Sequence, residues 1–313
     1  MAKVDSSIKL TINPEMNRRI DLSIIIVNHN TKKLLTTCLK SIKESENRLV
    51  KEVFVVDNAS ADGSAQILEK FPGVKLIQNS KNLGFAKACN QAIRRANGRY
   101  ILLLNPDTIL EKNTLSEMIL FMDKNPKIGV STCRVELPNG EIDWASHRGF
   151  PTPWRSFSYF SRLSKLFPSS KLFGGYHLEY KDLKKTHEID SPCGAFYLVQ
   201  ADVVKKVGLL DEDYFMFAED LDWSYRIKQA GYKIFYYPKV KIVHHKGAAS
   251  GMHKVESQTE KKERKKAVES FYDTMKIFYQ KHYKDRYPKW LQLLVFWGID
   301  FLKRRRLAKL GFD

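Results

Sequence analysis

The most constraining feature of this chain is a set of apolar runs that end abruptly on polar residues. Leu22 to Val27, polar only at Ser23, gives way to Asn28; Val53 to Val56 gives way to Asp57; Tyr100 to Leu104 gives way to Asn105. A shorter run, Val74 to Gln78, lies between the second and the last. Helical patterns separate them, over Thr31 to Ser45, Ala61 to Lys70 and Phe85 to Ala96, the last closed by Gly98. Strands alternating with helices at this spacing make βαβ units and a mostly parallel sheet. Strands apolar throughout need helices on both faces. In such sheets ligands bind beyond the carboxyl ends of the strands, so Asn28, Asp57 and Asn105 are expected along one rim.

The rest of the chain is less regular. Residues 147–187 are rich in aromatic, basic, Pro and Gly residues without a clear period, and read as a long loop or lid. Gly194 to Val199, Lys233 to Tyr237 and Lys241 to His245 read as strands, and Ala201 to Val207 and Glu219 to Ala230 as helices. Residues 246–262 read as a polar, basic, mobile stretch, followed by helices over 263–283 and 289–308. The expected organisation is an N-terminal extension over 1–20, an α/β domain over 21–250 and a basic helical region over 251–313.

With 313 residues, 43 % of them apolar, the chain can bury a sizeable core. Its net charge of +18 favours polyanionic partners without choosing among them. Four scattered cysteines, none in a C-x-x-C pair, fit a reducing compartment. Residues 1–20 lack an apolar signal segment and no run reaches spanning length, so the catalytic domain is expected in the cytoplasm.

Each chemistry-bearing position has a bland alternative. Asn105-Pro106-Asp107 is ordinary turn chemistry, or a strand-end carboxylate that holds a hard cation beside substrate phosphates. Glu219, Asp220 and Asp222 open a helix, where the macrodipole favours acids; one of them could equally serve as a general base. His244-His245 ends a strand as a structural pair or as a metal ligand. Asp57 to Ser64 is a turn and cap, or Asp57 meets a base or ribose. Asn82 is a helix cap or a nucleotide contact. Neither a Gly-rich phosphate loop nor a G-x-S-x-G elbow is present in the sequence.

In their order along the chain, SIIIVNHN (23–30), VVDNASADGS (55–64), NLGFAKACN (82–90), LLLNPDT (102–108), CGAFYLV (193–199) and the long run at 207–250 resemble family 2 of the glycosyltransferases, particularly its bacterial rhamnosyltransferase-like members. The resemblance implies a GT-A fold and transfer, with inversion, of a sugar from a nucleotide-sugar donor to a cell-surface polysaccharide or lipid-linked glycan. A deoxyhexose such as dTDP-rhamnose is favoured as donor, with UDP- and GDP-sugars open. It places Val27, Asn28, Asn30, Asp57, Asn82, Gly84, Asn105 and Asp107 at the nucleotide sugar. It makes Asp220 the base with Glu219 beside it, and assigns a divalent cation (Mg²⁺ or Mn²⁺) to Asp107 and His245. His245 is preferred to His244 because it fits H-x-G-x-x-S. The metal-binding element reads Asn-Pro-Asp here, so its first acid is missing.

Trp290, Leu293, Leu294, Trp297 and Phe301 share one helical face, followed by Lys303-Arg304-Arg305-Arg306. That face either packs on the core or lies on an anionic membrane surface, which would make the enzyme peripheral on the inner face of the plasma membrane. Two rivals remain. A nucleotidyltransferase would need a basic Gly-rich loop that NHNTKK lacks. A non-catalytic module binding nucleic acid or membrane fits poorly with the acidic cluster at 211–222, so no nucleic-acid partner is expected.

Overall fold

The computed structural model describes residues 20–45, 48–247 and 258–312. The extension over 1–19, most of the stretch read as mobile, and Ser250 of the H-x-G-x-x-S spacing lie outside them.

The first half follows the alternation. β1 (Leu22–Asn28), α1 (Lys32–Glu44), β2 (Lys51–Asn58), β3 (Val74–Asn79), α2 (Phe85–Ile93) and β4 (Tyr100–Leu104) appear in that order. β3, β2, β1 and β4 pair side by side, all parallel. β1 and β4 are buried along almost their whole length, because α1 covers one face of the sheet and α2 the other. The helix expected over Ala61 to Lys70 is only a 3₁₀ turn, Gln66–Lys70; Asp62, which accepts from the backbone of Ser64, holds the residues before it in turns.

Beyond β4 the sheet becomes mixed. β5 (Thr108–Leu110), α3 (Thr114–Asp123) and β6 (Ile128–Glu136) follow, then α4 (Pro153–Phe160), α5 (Leu163–Leu166), β7 (His187–Glu188), β8 (Phe196–Gln200), α6 (Ala201–Val207), α7 (Glu219–Gln229) and β9 (Lys233–His244). β8 enters antiparallel between β4 and β6, β9 runs parallel to β6, and β5 and β7 pair antiparallel with opposite ends of β9. The two strands expected over 233–245 are one strand. Its register against β6 jumps between Tyr237 and Lys241, around Pro238, which has no N–H to give to the ladder. Residues 147–187, expected as a patternless lid, contain α4 and α5. Thr152 caps α4 by accepting from the amide of Arg155, and Pro153 occupies the first turn.

α8 (Gln258–His282) and α9 (Lys289–Lys309) pack on each other, and α8 packs on the loop before α7. Ser270 donates to the Met216 carbonyl, Lys281 pairs with Asp211 and Asp213, and His282 Nε2 lies 2.7 Å from Asp222. The basic helical region is therefore fastened to the segment that carries the acids. All four thiols are free. Among the described residues no helix is long and apolar enough to cross a membrane.

Candidate active site

One cavity of about 1510 Å³ opens at the carboxyl ends of β1, β2 and β4. Asp107, Glu219, Asp220 and His244 all line it, so acids separated by more than a hundred residues of chain converge.

At the metal-type end, Asp107 is buried just past β4, and its Oδ1 lies 3.2 Å from His244 Nε2. The other ring nitrogen of His244 is 2.8 Å from Asp143 Oδ2, and Lys246 meets the second oxygen of Asp143. Burial alone would lower the pKa of His244, but hydrogen bonds to Asp107 and Asp143 outweigh it and push it up to about 9. Burial opposes ionisation of Asp143 too, yet His244 and Lys246 hold its carboxyl well below the usual carboxylate range. His245 is corrected here. Its side chain does not line the cavity, and its backbone amide donates to the Asp107 carbonyl at 2.8 Å. Successive residues of an extended chain point to opposite sides, so with His244 turned inward His245 faces away.

Glu219 and Asp220 begin α7. The two residues before Glu219, Phe217 and Ala218, both have left-handed backbones, with φ of 74° and 64°. Strain of this kind costs about 1–3 kcal/mol per residue and persists only where the surroundings enforce it. Here Phe85 N donates to the Phe215 carbonyl at 2.7 Å, and α8 holds Met216. Asp220 receives two bonds: Leu221 N at 2.7 Å on Oδ1 and Arg148 Nη2 at 2.8 Å on Oδ2. Arg148 is itself buried and anchored on the Pro192 carbonyl. Glu219 is buried without such help, and among the described residues its Oε2 has no hydrogen-bond partner. Burial and the neighbouring Asp220 raise its pKa well above the usual carboxylate range. The adjacent acids therefore carry fewer than two charges near neutral pH. Asp222 turns away from the cavity, pairing with Arg226 one turn on at 2.8 Å and with His282.

The rim differs from the expectation in a specific way. Asn28 and Asp57 are buried and spend their polar atoms on each other: Asn28 Nδ2 donates to Asp57 Oδ1 at 2.9 Å and to Ser60, and Ser60 Oγ donates to Asp57. Asn30 joins the same frame through Ser60 and Ala61. None of the three lines the cavity. They brace the β1 and β2 turns, while Val27, His29, Asn58, Asn82, Gly84 and Asn105 form the wall. His29 and Asn58 were missed. Each neighbours a residue picked for its strand-end position; His29 Nδ1 lies 2.8 Å from the Asn58 carbonyl, and Asn58 Nδ2 donates to the Gly84 carbonyl at 3.1 Å. Asn82 accepts from Gly84 N at 2.9 Å and so shapes the loop before α2 rather than capping the helix. Arg148 and Asp143 were also missed; both lie in a stretch with no periodic signal.

Gly84 joins the two halves of the site. Its φ is +85°, and a Cβ there would sit 2.4 Å from the Phe215 carbonyl oxygen. Gly84→Ala is expected to destabilise the protein by about 2 kcal/mol or more, lowering Tm by about 4–8 °C. Thermal denaturation checks this; an unchanged Tm would mean that the approach of the acid loop to α2 is looser than described.

The profile of glycosyl transferase family 2 matches residues 23–202. The N-acetylglucosaminyl-diphospho-decaprenol L-rhamnosyltransferase of Mycobacterium tuberculosis is 25 % identical over 242 residues, covering 74 % of this chain and 78 % of that one. Rhamnosyltransferase WbbL of Escherichia coli is 25 % identical over 230 residues, covering 71 % and 82 %. The poly-beta-1,6-N-acetyl-D-glucosamine synthase of Staphylococcus epidermidis is 25 % identical over 238 residues, but this chain spans only 51 % of its length. Among solved structures, mannosyltransferase PcManGT from Pyrobaculum calidifontis, in complex with GDP-Man and Mn²⁺, superposes with a TM-score of 0.54 at 18 % identity, covering 93 % of this chain and 76 % of that one. That likeness shows the fold: a GT-A type α/β sheet flanked by helices. With the profile matching more than half of its length, the chain belongs to glycosyl transferase family 2 and is a glycosyltransferase.

Proposed function

We propose that this protein is an inverting, divalent-cation-dependent transferase that moves a sugar, with rhamnose the first candidate, from a nucleotide-sugar donor to a glycan or lipid-linked glycan of the cell envelope. The observation that carries the reading is the convergence of Asp107, His244, Glu219 and Asp220 on one cavity at the sheet's carboxyl rim. The rhamnosyltransferase relatives, one of them named for a lipid-diphosphate acceptor, support the donor and acceptor classes.

The residues fit a divalent cation. Among the described residues no group of three or more His, Cys, Asp and Glu side chains could hold a metal alone. A carboxylate oxygen and an imidazole nitrogen 3.2 Å apart suit neighbouring ligands of one ion whose bonds are about 2.1 Å long, with donor phosphates completing the shell. When bound, the cation would neutralise charge on the departing diphosphate. Asp143 would orient His244 from behind, as carboxylates do for ligating histidines.

The acceptor hydroxyl gives its proton to Asp220 as its oxygen bonds to the anomeric carbon. The carbon–oxygen bond to the diphosphate breaks with its electron pair, and the nucleoside diphosphate leaves. One displacement inverts configuration and leaves no sugar on the enzyme. Arg148 holds the Asp220 carboxylate in place and balances its charge. Glu219 lies beside it, its pKa raised by burial and by the neighbouring Asp220.

A panel of dTDP-, UDP- and GDP-sugars tests this reading by thermal denaturation with and without Mn²⁺. A matching donor at a hundred times its Kd adds about 2.7 kcal/mol to stability, and the gain should require Mn²⁺. No stabilisation by any nucleotide sugar would overturn the reading.

The C-terminal helix is read as a docking element for an anionic membrane surface. Trp290, Leu293, Leu294, Trp297 and Phe301 of α9 are all exposed, and Arg304, Arg305 and Arg306 follow them at the surface.

A further inference from the structure

The cavity is larger than a donor requires. Small-molecule sites commonly measure about 300–1,000 Å³, against about 1510 Å³ here. Away from the acids its wall is apolar and comes from three helices: Phe271, Met275 and Phe278 of α8, Leu294 and Leu302 of α9, and Phe157 of α4. α4 was not foreseen as part of any binding surface.

Two of these helices continue into exposed apolar faces outside the cavity. On α9, Leu293 is 71 % exposed and Trp297 69 %. Around α4 and α5, Leu166 is 70 % exposed, and Phe167 and Leu172 are more than half exposed. Contiguous exposed apolar clusters mark interaction sites when they are rimmed by polar residues. The rim here is basic: Arg162, Lys165 and Lys171 are exposed beside the α4–α5 face, and Arg304 to Arg306 beside the α9 face. Such faces are complementary to an anionic bilayer. At the inner end, Lys266 lines the cavity with its ammonium 3.8 Å over the ring of Phe215, on the loop that leads to the acids.

We propose that the apolar arm of this cavity, walled by α4, α8 and α9, takes the hydrocarbon chain of a long-chain lipid phosphate or diphosphate acceptor, drawn from an anionic bilayer on which the α4–α5 and α9 faces rest. The phosphate head then lies at Lys266, and the sugar it carries reaches Asp220. This deepens the reading above and rests on it for the identity of the acceptor.

Prenyl diphosphates of five, ten, fifteen and twenty carbons test the proposal on the full chain, below their micelle concentrations, by titration calorimetry. Each buried methylene contributes substantially to transfer from water, so affinity should rise roughly thirtyfold or more from five to fifteen carbons. Two variants place the effect. Gly298 lines the cavity, and a Cβ there meets nothing within 4 Å, so Gly298→Trp should fill the arm without disturbing the fold. Leu294→Asp should make its wall polar. Both are expected to abolish the chain-length gain while leaving stabilisation by nucleotide sugar as in the parent, which also reports that they fold. Affinity that ignores chain length, or a gain that survives in both variants, would overturn the proposal. Loss of donor binding with the chain-length gain intact would instead fail the catalytic reading and leave the hydrocarbon site standing.

Discussion

Asp220→Asn is expected to lower kcat by about a thousandfold while changing the dissociation constant of the donor less than about threefold. General-base catalysis contributes about 10²–10⁴ in rate, and an amide cannot accept the acceptor's proton. The amide keeps the shape of the carboxylate, and its one oxygen can still take the bond from Arg148 or the bond from Leu221 N, which now fall on separate oxygens, so the fold and the donor end should survive. Asp220→Leu is a harsher change. It leaves the buried Arg148 guanidinium without its partner, a loss of about 3–5 kcal/mol, and would confound the result. Steady-state kinetics beside donor binding separate the two cases. Equal loss of transfer and donor binding in the asparagine variant would make Asp220 a structural acid.

The second large effect concerns the two adjacent histidines. His244→Ala and Asp107→Asn are each expected to raise the Mn²⁺ concentration needed for half-maximal activity by at least about a hundredfold, because each removes a ligand. Asp143→Asn should cost about 10–100-fold, as loss of an orienting carboxylate does. His245→Ala should change it less than about threefold, since it is the backbone amide of that residue that bonds the Asp107 carbonyl. A larger effect at His245 than at His244 would restore the ligand implied by the H-x-G-x-x-S spacing and refute the geometry described.

The parallel half of the fold was legible because its central strands, β1 and β4, are buried on both faces and carry almost unbroken apolar runs. β6 was not. It lies between β8 and β9, equally buried, but is built from Gly129, Ser131, Thr132 and Cys133, small residues that carry no apolar signature. Strand ends located the rim, and the resemblance located the acids, yet neither could say which of two adjacent side chains turns inward. Both corrections are of that kind: His244 for His245, and His29 and Asn58 in the wall where Asn28 and Asp57 were expected. A one-residue step in extended chain reverses the direction of the side chain, and the bonds that fix it, from Ser60 to Asp57 and from His244 to Asp143, join residues far apart or inside a turn. Arg148 and Asp143 are set by tertiary contacts across 72 and 101 positions, beyond any local pattern.

In the proposed mechanism a single diphosphate brings the strand-end carboxylate, the inward imidazole and the α7 acids into one reaction. Electron paramagnetic resonance of Mn²⁺ titrated with protein and the donor selected from the panel tests it most directly. The account predicts a ternary signal showing ³¹P coupling from the bound donor, retained in Asp220→Asn and lost in Asp107→Asn and His244→Ala. Manganese that binds without phosphorus coupling, or that binds Asp107→Asn as tightly as the parent, would contradict it.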